Sequence, residues 1–252
     1  EVMCMKSLFF GGVHPDGHKD LSAGVPLAAM ALPAQAAVLL RQHIGAPCQP
    51  LVAVGDTVCL GQKIGDGDGL CVPVHAPVSG VVTGIEDRPH PGGGTCPAIL
   101  IKNDFLDTPC PTMKPYSHPE ALSTAELVSI IREAGIVGMG GAAFPTDVKS
   151  KTGMSRTDTL ILNACECEPY ITADDVLLRA RPADVLRGVE IVARILSPGR
   201  VVIALEDNKA QAAEVLKQQL KDFPGMERKV LPTRYPQGAE KQLIQAVTGR
   251  QV

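Results

Sequence analysis

Between residues 138 and 144 the chain reads Gly138-Met139-Gly140-Gly141-Ala142-Ala143-Phe144, with Pro145, Thr146 and Lys149 just beyond. A turn needs one glycine or two, since each brings backbone freedom at an entropic cost. A longer bare run suggests that something lies against the backbone itself, with the Lys149 cation just beyond. A second stretch, "NACECEPYITADD" (163–175), sets Asn163, Cys165, Glu166, Cys167 and Glu168 directly after an apolar run. Ionised carboxylates only accept hydrogen bonds, so Glu166 and Glu168 suit ligand hydroxyl or ring N–H groups. A third, "YPQGAEKQLIQAVTG" (235–249), places Tyr235, Gly238 and Glu240 just ahead of a helical pattern, whose first amides can face an anion or a polar ligand.

Several familiar chemistries are excluded. No strand feeds the glycine run, so it is not a dinucleotide fingerprint, and Lys149 lies too far from Gly141 for a phosphate loop. The eight cysteines (4, 48, 59, 71, 96, 110, 165 and 167) are scattered and form no iron–sulfur run. They are too dilute for a disulfide scaffold, so reduced thiols are expected. Cys165-x-Cys167 falls short of the four ligands of a closed zinc site. No metal is therefore expected in this chain. A composition of 45% hydrophobic residues and a net charge of −3 gives no electrostatic reason for a nucleic-acid partner.

Elements must position these stretches. From residue 120 to 252 strand patterns at 158–164, 200–207 and 227–233 alternate with helical patterns at 182–197, 208–223 and about 238–247. This is the signature of an α/β domain with a mostly parallel sheet, whose ligands gather at the carboxyl ends of strands. The helix over 123–136 opens at a capping Ser or Thr and puts Leu127, Ile130, Ile131 and Ala134 on one face. The segment 146–153 could extend the glycine run as a short helix.

Residues 1–115 instead read as a β-domain of short β-branched runs, "LVAVGDTVCLGQKI" (51–64) and "VHAPVSGVVTGIED" (74–87), broken by Gly-Asp and Pro-x-Ser-Gly turns. Four prolines in 107–120 mark a linker. The apolar stretch 21–40 is interrupted by Gly24, Pro26 and Pro33, too broken for a membrane span, and reads as extended core segments. The chain begins at Glu1 without a signal peptide and is expected to be a piece of a longer protein.

The β-domain spacing resembles the barrel-sandwich fold of lipoyl and biotinyl carriers. The stretch "GDGDGLCVPV" (65–74), where those carriers place their lysine, has none, so a structural module is expected. The glycine run and its two companions, in this order, resemble the flavin- and NADH-binding subunit of respiratory complex I. More closely they resemble the C-subunit family of Rnf electron transport complexes, whose first domain is matched by "GGVHPDGHKDLS" (11–22) and "RQHIGAPCQPLVAVGDTV" (41–58).

The resemblance implies FMN along Gly138, Gly140, Gly141 and Ala142, with Lys149 as counter-charge and Asn163, Glu166, Tyr235 and Gly238 completing the pocket. Phe144, Glu168 and Glu240 match positions near NAD(H). No side chain is implied as catalytic, because the cofactors carry the chemistry. Cys165 stands where complex I relatives have Asp, and Ala239 where they have Glu. The [4Fe–4S] clusters of the family are expected only beyond residue 252. Further implications are the other Rnf subunits as partners, ferredoxin indirectly, ion translocation by the whole complex, and a peripheral position on the cytoplasmic face of the cell (inner) membrane. Two alternatives stay open: a corrin or microcompartment reductase sharing the flavin motifs, and a non-catalytic assembly module.

Overall fold

A computed structural model describes residues 11–116, 118–139 and 141–251. It divides into two compact units, residues 30–153 and residues 11–29 with 154–251. In chain order the second of these contributes first, with one helical turn, α1 (Asp20–Ala23).

The 30–153 unit is a β-module. Strands β1 (Gln35–Leu39), β3 (Thr57–Val58), β6 (Gly80–Pro89) and β7 (Thr95–Asn103) form one antiparallel sheet in the order β1-β7-β6-β3. Strands β2 (Gln49–Pro50), β4 (Lys63–Asp66) and β5 (Val74–His75) form a second, in the order β2-β4-β5. Their inner faces bury Val38, Leu40, Val58, Ile64, Val82, Ile99 and Ile101 in one core, which also takes in Cys48 and Cys71. With no tryptophan in the chain, this core is filled by aliphatic side chains that suit a pleated surface.

The expectation of core segments over 21–40 is corrected here. Only β1 and Leu40 join the core, whereas Leu27, Met30 and Leu32 are exposed, Met30 by 80%. Pro26 and Pro33 lack the N–H that a ladder needs, and residues 24–33 pair with no strand among the described residues.

Two helices complete this unit. Helix α2 (Thr124–Glu133) starts at a full capping box: the Ser123 side chain accepts from the Glu126 amide while Glu126 accepts from Ser123. Its buried residues are Leu127, Val128 and Ile131, with Ile130 half-buried and Ala134 exposed. The segment after the glycine run is helical, as α3 (Thr146–Gly153).

The other unit carries a parallel sheet of β8 (Thr159–Ala164), β9 (Arg200–Glu206) and β10 (Met226–Leu231), ordered β10-β9-β8. The central strand β9 is buried from Val201 to Glu206, as a strand covered on both faces must be. On one face Ile203 and Leu205 pack with Leu178 of α4 (Ala173–Ala180), Leu186 of α5 (Pro182–Leu196) and Leu216 of α6 (Ala210–Gln219). On the other, Val202 and Ala204 pack with Leu243, Ala246 and Val247 of α7 (Glu240–Thr248). The chain is thus an N-terminal barrel-sandwich module followed by an α/β domain with a parallel sheet. Helix α4 has no counterpart among the helices read from the sequence. Among the described residues no helix is long and apolar enough to cross a membrane.

Candidate functional site

The carboxyl ends of the parallel strands gather polar groups that an interior would ordinarily refuse. Glu206, at the end of β9, is fully buried and pairs with buried Lys209 at 3.4 Å. Burial pushes the Glu206 carboxyl up, while the Lys209 charge and the Arg234 amide at 3.3 Å pull it back. Lys209 Nζ also donates to the Glu166 carbonyl oxygen at 3.2 Å and to Asn208 Oδ1 at 3.1 Å. A second ammonium, Lys19 Nζ, donates to the carbonyls of Glu166 (2.8 Å), Glu168 (3.0 Å) and Ile171 (2.6 Å). Burial lowers the Lys19 pKa, and the Lys209 charge adds to the effect. Two cations therefore clamp the turn that follows β8.

Within that turn the predicted residues have definite partners. Glu166 is buried, and its carboxylate accepts from the Asp174 amide (2.8 Å) and the Asp175 amide (3.4 Å) at the start of α4. Asn163 Nδ2 donates to the Gly238 carbonyl at 2.8 Å, and its Oδ1 accepts from the Cys165 amide at 3.1 Å. Gly238 is pressed onto the turn after β8 so closely that a Cβ would stand 2.3 Å from the Cys165 carbonyl oxygen. The structure thus brings Asn163, Glu166 and Gly238 together, with Tyr235 in the same turn as Gly238; Glu168, Tyr235 and Glu240 are exposed. Beside them Gln237 is fully buried, and neither Oε1 nor Nε2 has a hydrogen-bond partner among the described residues. Such an amide retains donor and acceptor capacity for a ligand.

Sequence reasoning missed Lys19, Glu206, Lys209 and Gln237. Lys19 lies within "GGVHPDGHKDLS" and Gln237 within "YPQGAE", so the stretches were singled out while these residues were not. Cys165 and Cys167 are buried thiols, and burial pushes both up. The described residues able to converge on a metal are His43, Cys48 and Cys71, in the 30–153 unit.

The glycine run belongs to that 30–153 unit. Its base is closed by an antiparallel bridge between Val137 and Pro145 and by the Gly138 amide donating to the Phe144 carbonyl at 2.8 Å. Gly141 sits at φ +102°, a conformation that favours glycine, and a Cβ there would meet nothing within 4 Å. Gly138, Gly141, Ala142 and Phe144 are exposed, as is Lys149 on α3. Gly140 lies outside the described residues. The loop is a shaped, open strip of backbone, which fits the flat ring expected there, and the unpartnered Gln237 amide fits a polar ligand edge.

A family model described as the RnfC barrel sandwich hybrid domain matches residues 7–106, and one described as the Nuo51 FMN-binding domain matches residues 131–252. The C-subunit of the Na(+)-translocating ferredoxin:NAD(+) oxidoreductase complex of Acetobacterium woodii is 43% identical over 97% of this chain and 56% of that protein. The C-subunit of the proton-translocating ferredoxin:NAD(+) oxidoreductase complex of Clostridium ljungdahlii is 44% identical over 98% of this chain and 54% of that protein. The chain spans about half the length of these curated relatives. Among solved structures, an NAD+-reducing [NiFe]-hydrogenase in the air-oxidized state aligns with 55% of this chain and 27% of that one, at 25% identity and a TM-score of 0.47. With its two domains matched in order and curated C-subunit relatives aligned along nearly its whole length, the chain belongs to the RnfC family.

Proposed function

We propose that the chain binds FMN and NAD(H) and serves as the NADH-side flavin subunit of an Rnf-type complex. The observation that carries the reading is the strand-end cluster, where a buried and unpartnered Gln237 amide adjoins Tyr235 and Gly238 at the end of a parallel sheet. Family membership and the match to an FMN-binding domain support it.

In this reading Gly138, Gly140, Gly141 and Ala142 offer backbone to FMN, and Lys149 offers a charge to its phosphate. Asn163 spends its polar atoms on neighbouring backbone and so shapes the turn that Tyr235 and Gly238 share with the cofactor, while Glu166 holds the start of α4 beside it. Phe144, Glu168 and Glu240 are exposed for NAD(H). FMN held by these residues would supply hydride acceptance from the nicotinamide and release of single electrons. The residues of this chain bind and orient the two cofactors.

In this reading electrons would pass on to [4Fe–4S] clusters outside these 252 residues, and the assembled complex would couple their passage to ion movement. The subunit sits peripherally on the cytoplasmic face of the membrane, with the other Rnf subunits as partners and ferredoxin reached through them.

Flavin fluorescence titration tests the proposal. The chain is expected to quench FMN fluorescence saturably. Lys149→Ala, at an exposed position, is expected to weaken binding about tenfold, the equivalent of about 1.4 kcal/mol, with an unchanged melting temperature. A well-folded chain that binds no FMN would sink the reading.

A further inference from the structure

Three potential ligand atoms converge inside the β-module, and none of them belongs to the strand-end cluster. His43, Cys48 and Cys71 are 7%, 3% and 4% exposed. Cys48 Sγ lies 3.6 Å from Cys71 Sγ, and His43 Nε2 lies 3.7 Å from Cys71 Sγ and 4.0 Å from Cys48 Sγ. A tetrahedral zinc with bonds of about 2.3 Å to sulfur and 2.0 Å to nitrogen sets its ligand atoms about 3.5–3.8 Å apart. The observed triangle is within about half an ångström of those edges.

The imidazole is oriented for ligation. His43 Nδ1 is 3.1 Å from the Ile44 carbonyl, which can only accept, so Nδ1 carries the proton and Nε2 presents its lone pair to the sulfurs. A ring fixed by a backbone carbonyl in this way is the usual support of a metal-bound histidine. The Val72 amide donates to the same Nε2 at 3.3 Å. The Val72 carbonyl oxygen, 3.2 Å from Cys48 Sγ and 3.8 Å from Cys71 Sγ, offers a fourth lone pair.

An apolar packing role and a disulfide each account for less of this cluster. Buried cysteines often serve as small apolar side chains, but that does not account for an imidazole whose Nε2 faces both sulfurs as well as the Val72 amide. A disulfide requires the sulfurs to close to about 2.05 Å, a far larger movement than ligation needs.

We propose that His43, Cys48 and Cys71 form a structural site for one divalent cation of the zinc class, pinning the 67–72 loop to the 43–48 loop. The donor set of two sulfurs and one imidazole selects a borderline-soft ion. Charge selects a divalent one: two thiolates neutralise it, whereas a monovalent ion would leave a net negative charge among Val38, Leu40, Ile64 and Val74. The two thiol protons leave to solvent as the metal enters. The two loops already touch, with the Ala46 amide donating to the Leu70 carbonyl at 3.0 Å. A Cβ on Gly45 would stand 2.1 Å from that same oxygen. The 65–74 segment, which carrier proteins of this fold use to display a lysine, here becomes an anchored tip.

Metal content of the chain, expressed with zinc in the medium and purified without chelator, tests the site. One equivalent of zinc is expected in the wild type and in Cys59→Ala, and none in the Cys48→Ala/Cys71→Ala double variant. Zinc retained in full by the double variant would overturn the proposal, as would a wild type that takes up none in competition with a chromophoric chelator. So would a Cys48–Cys71 disulfide in a non-reducing peptide map. Should the double variant fail to fold, cobalt(II) added to the wild type decides: thiolate-to-metal charge-transfer bands with tetrahedral visible bands support the site, and their absence refutes it.

Discussion

Glu166 meets the amides of the second and third residues of α4, the two that a helix-capping side chain ordinarily takes. The cap residue itself, Thr172, turns its hydroxyl to Ser22 at 2.9 Å and leaves those amides to Glu166. A negative charge there also faces the positive end of the helix. Glu166→Ala is therefore expected to cost on the order of 1–2 kcal/mol of stability, read as a lower melting temperature, with Glu166→Gln recovering part of it. Lys149→Ala serves as the control that leaves melting unchanged. An unaltered melting temperature in Glu166→Ala would refute the capping role and leave its carboxylate to the ligand. The sequence exposes Glu166 as an acceptor at a strand end, but its partners depend on α4. That helix is short, its start signal overlaps the acidic cluster, and nothing local tells a reader that a carboxylate eight residues upstream will cap it.

Elements in the 30–153 unit are joined by charge as well as by apolar contact. Arg132, near the end of α2, forks onto Asp66 of β4 through two bonds of 2.8 and 3.0 Å, and Lys63 of the same strand pairs with Glu133. The Arg132 guanidinium holds the Asp66 carboxyl well below the usual carboxylate range, assisted by the Gly67 amide and Lys63 against burial. A depressed folded pKa contributes stability that is fully present above the unfolded value, about 3.9, and is lost as pH falls through the folded one. Asp66→Asn is thus expected to cost on the order of 2 kcal/mol at neutral pH, between the values for exposed and buried pairs. Urea denaturation should find wild type and variant converging as pH drops below about 4. A difference that stayed constant down the acid limb would mean that the charge of Asp66 contributes nothing. Helix α2 was legible because its capping box is local, four residues long and realised in both directions. The Arg132–Asp66 pair spans 66 residues of sequence and leaves no periodic trace. The exposed 24–34 stretch misled for a related reason: apolar composition implies burial only where the backbone can join a ladder.

At the scale of the whole molecule, sequence order carried more than sequence pattern. Alternating strands and helices gave a parallel sheet, and the observed β10-β9-β8 order puts Asn163, Glu206 and the 231–238 turn at one end of it. The order of the three polar stretches pointed to the family, and the matched domains agree with it. Lys19, the buried Lys209 and the lone Gln237 amide stayed hidden, because their meaning lies in what surrounds them in space. The same sheet end carries the last expectation, that flavin and nicotinamide chemistry reside in this chain. With FMN bound and oxygen excluded, NADH is expected to bleach the visible absorbance of the flavin. Glu240→Ala should raise the NADH concentration required while leaving FMN affinity unchanged, because Glu240 is exposed at the first turn of α7 and assigned to the nucleotide alone. Bleaching at unchanged NADH demand would remove Glu240 from the nucleotide contacts. A flavin-loaded chain that NADH leaves oxidised would be a flavin-binding module without the nucleotide half, and the assignments of Phe144, Glu168 and Glu240 would fall together.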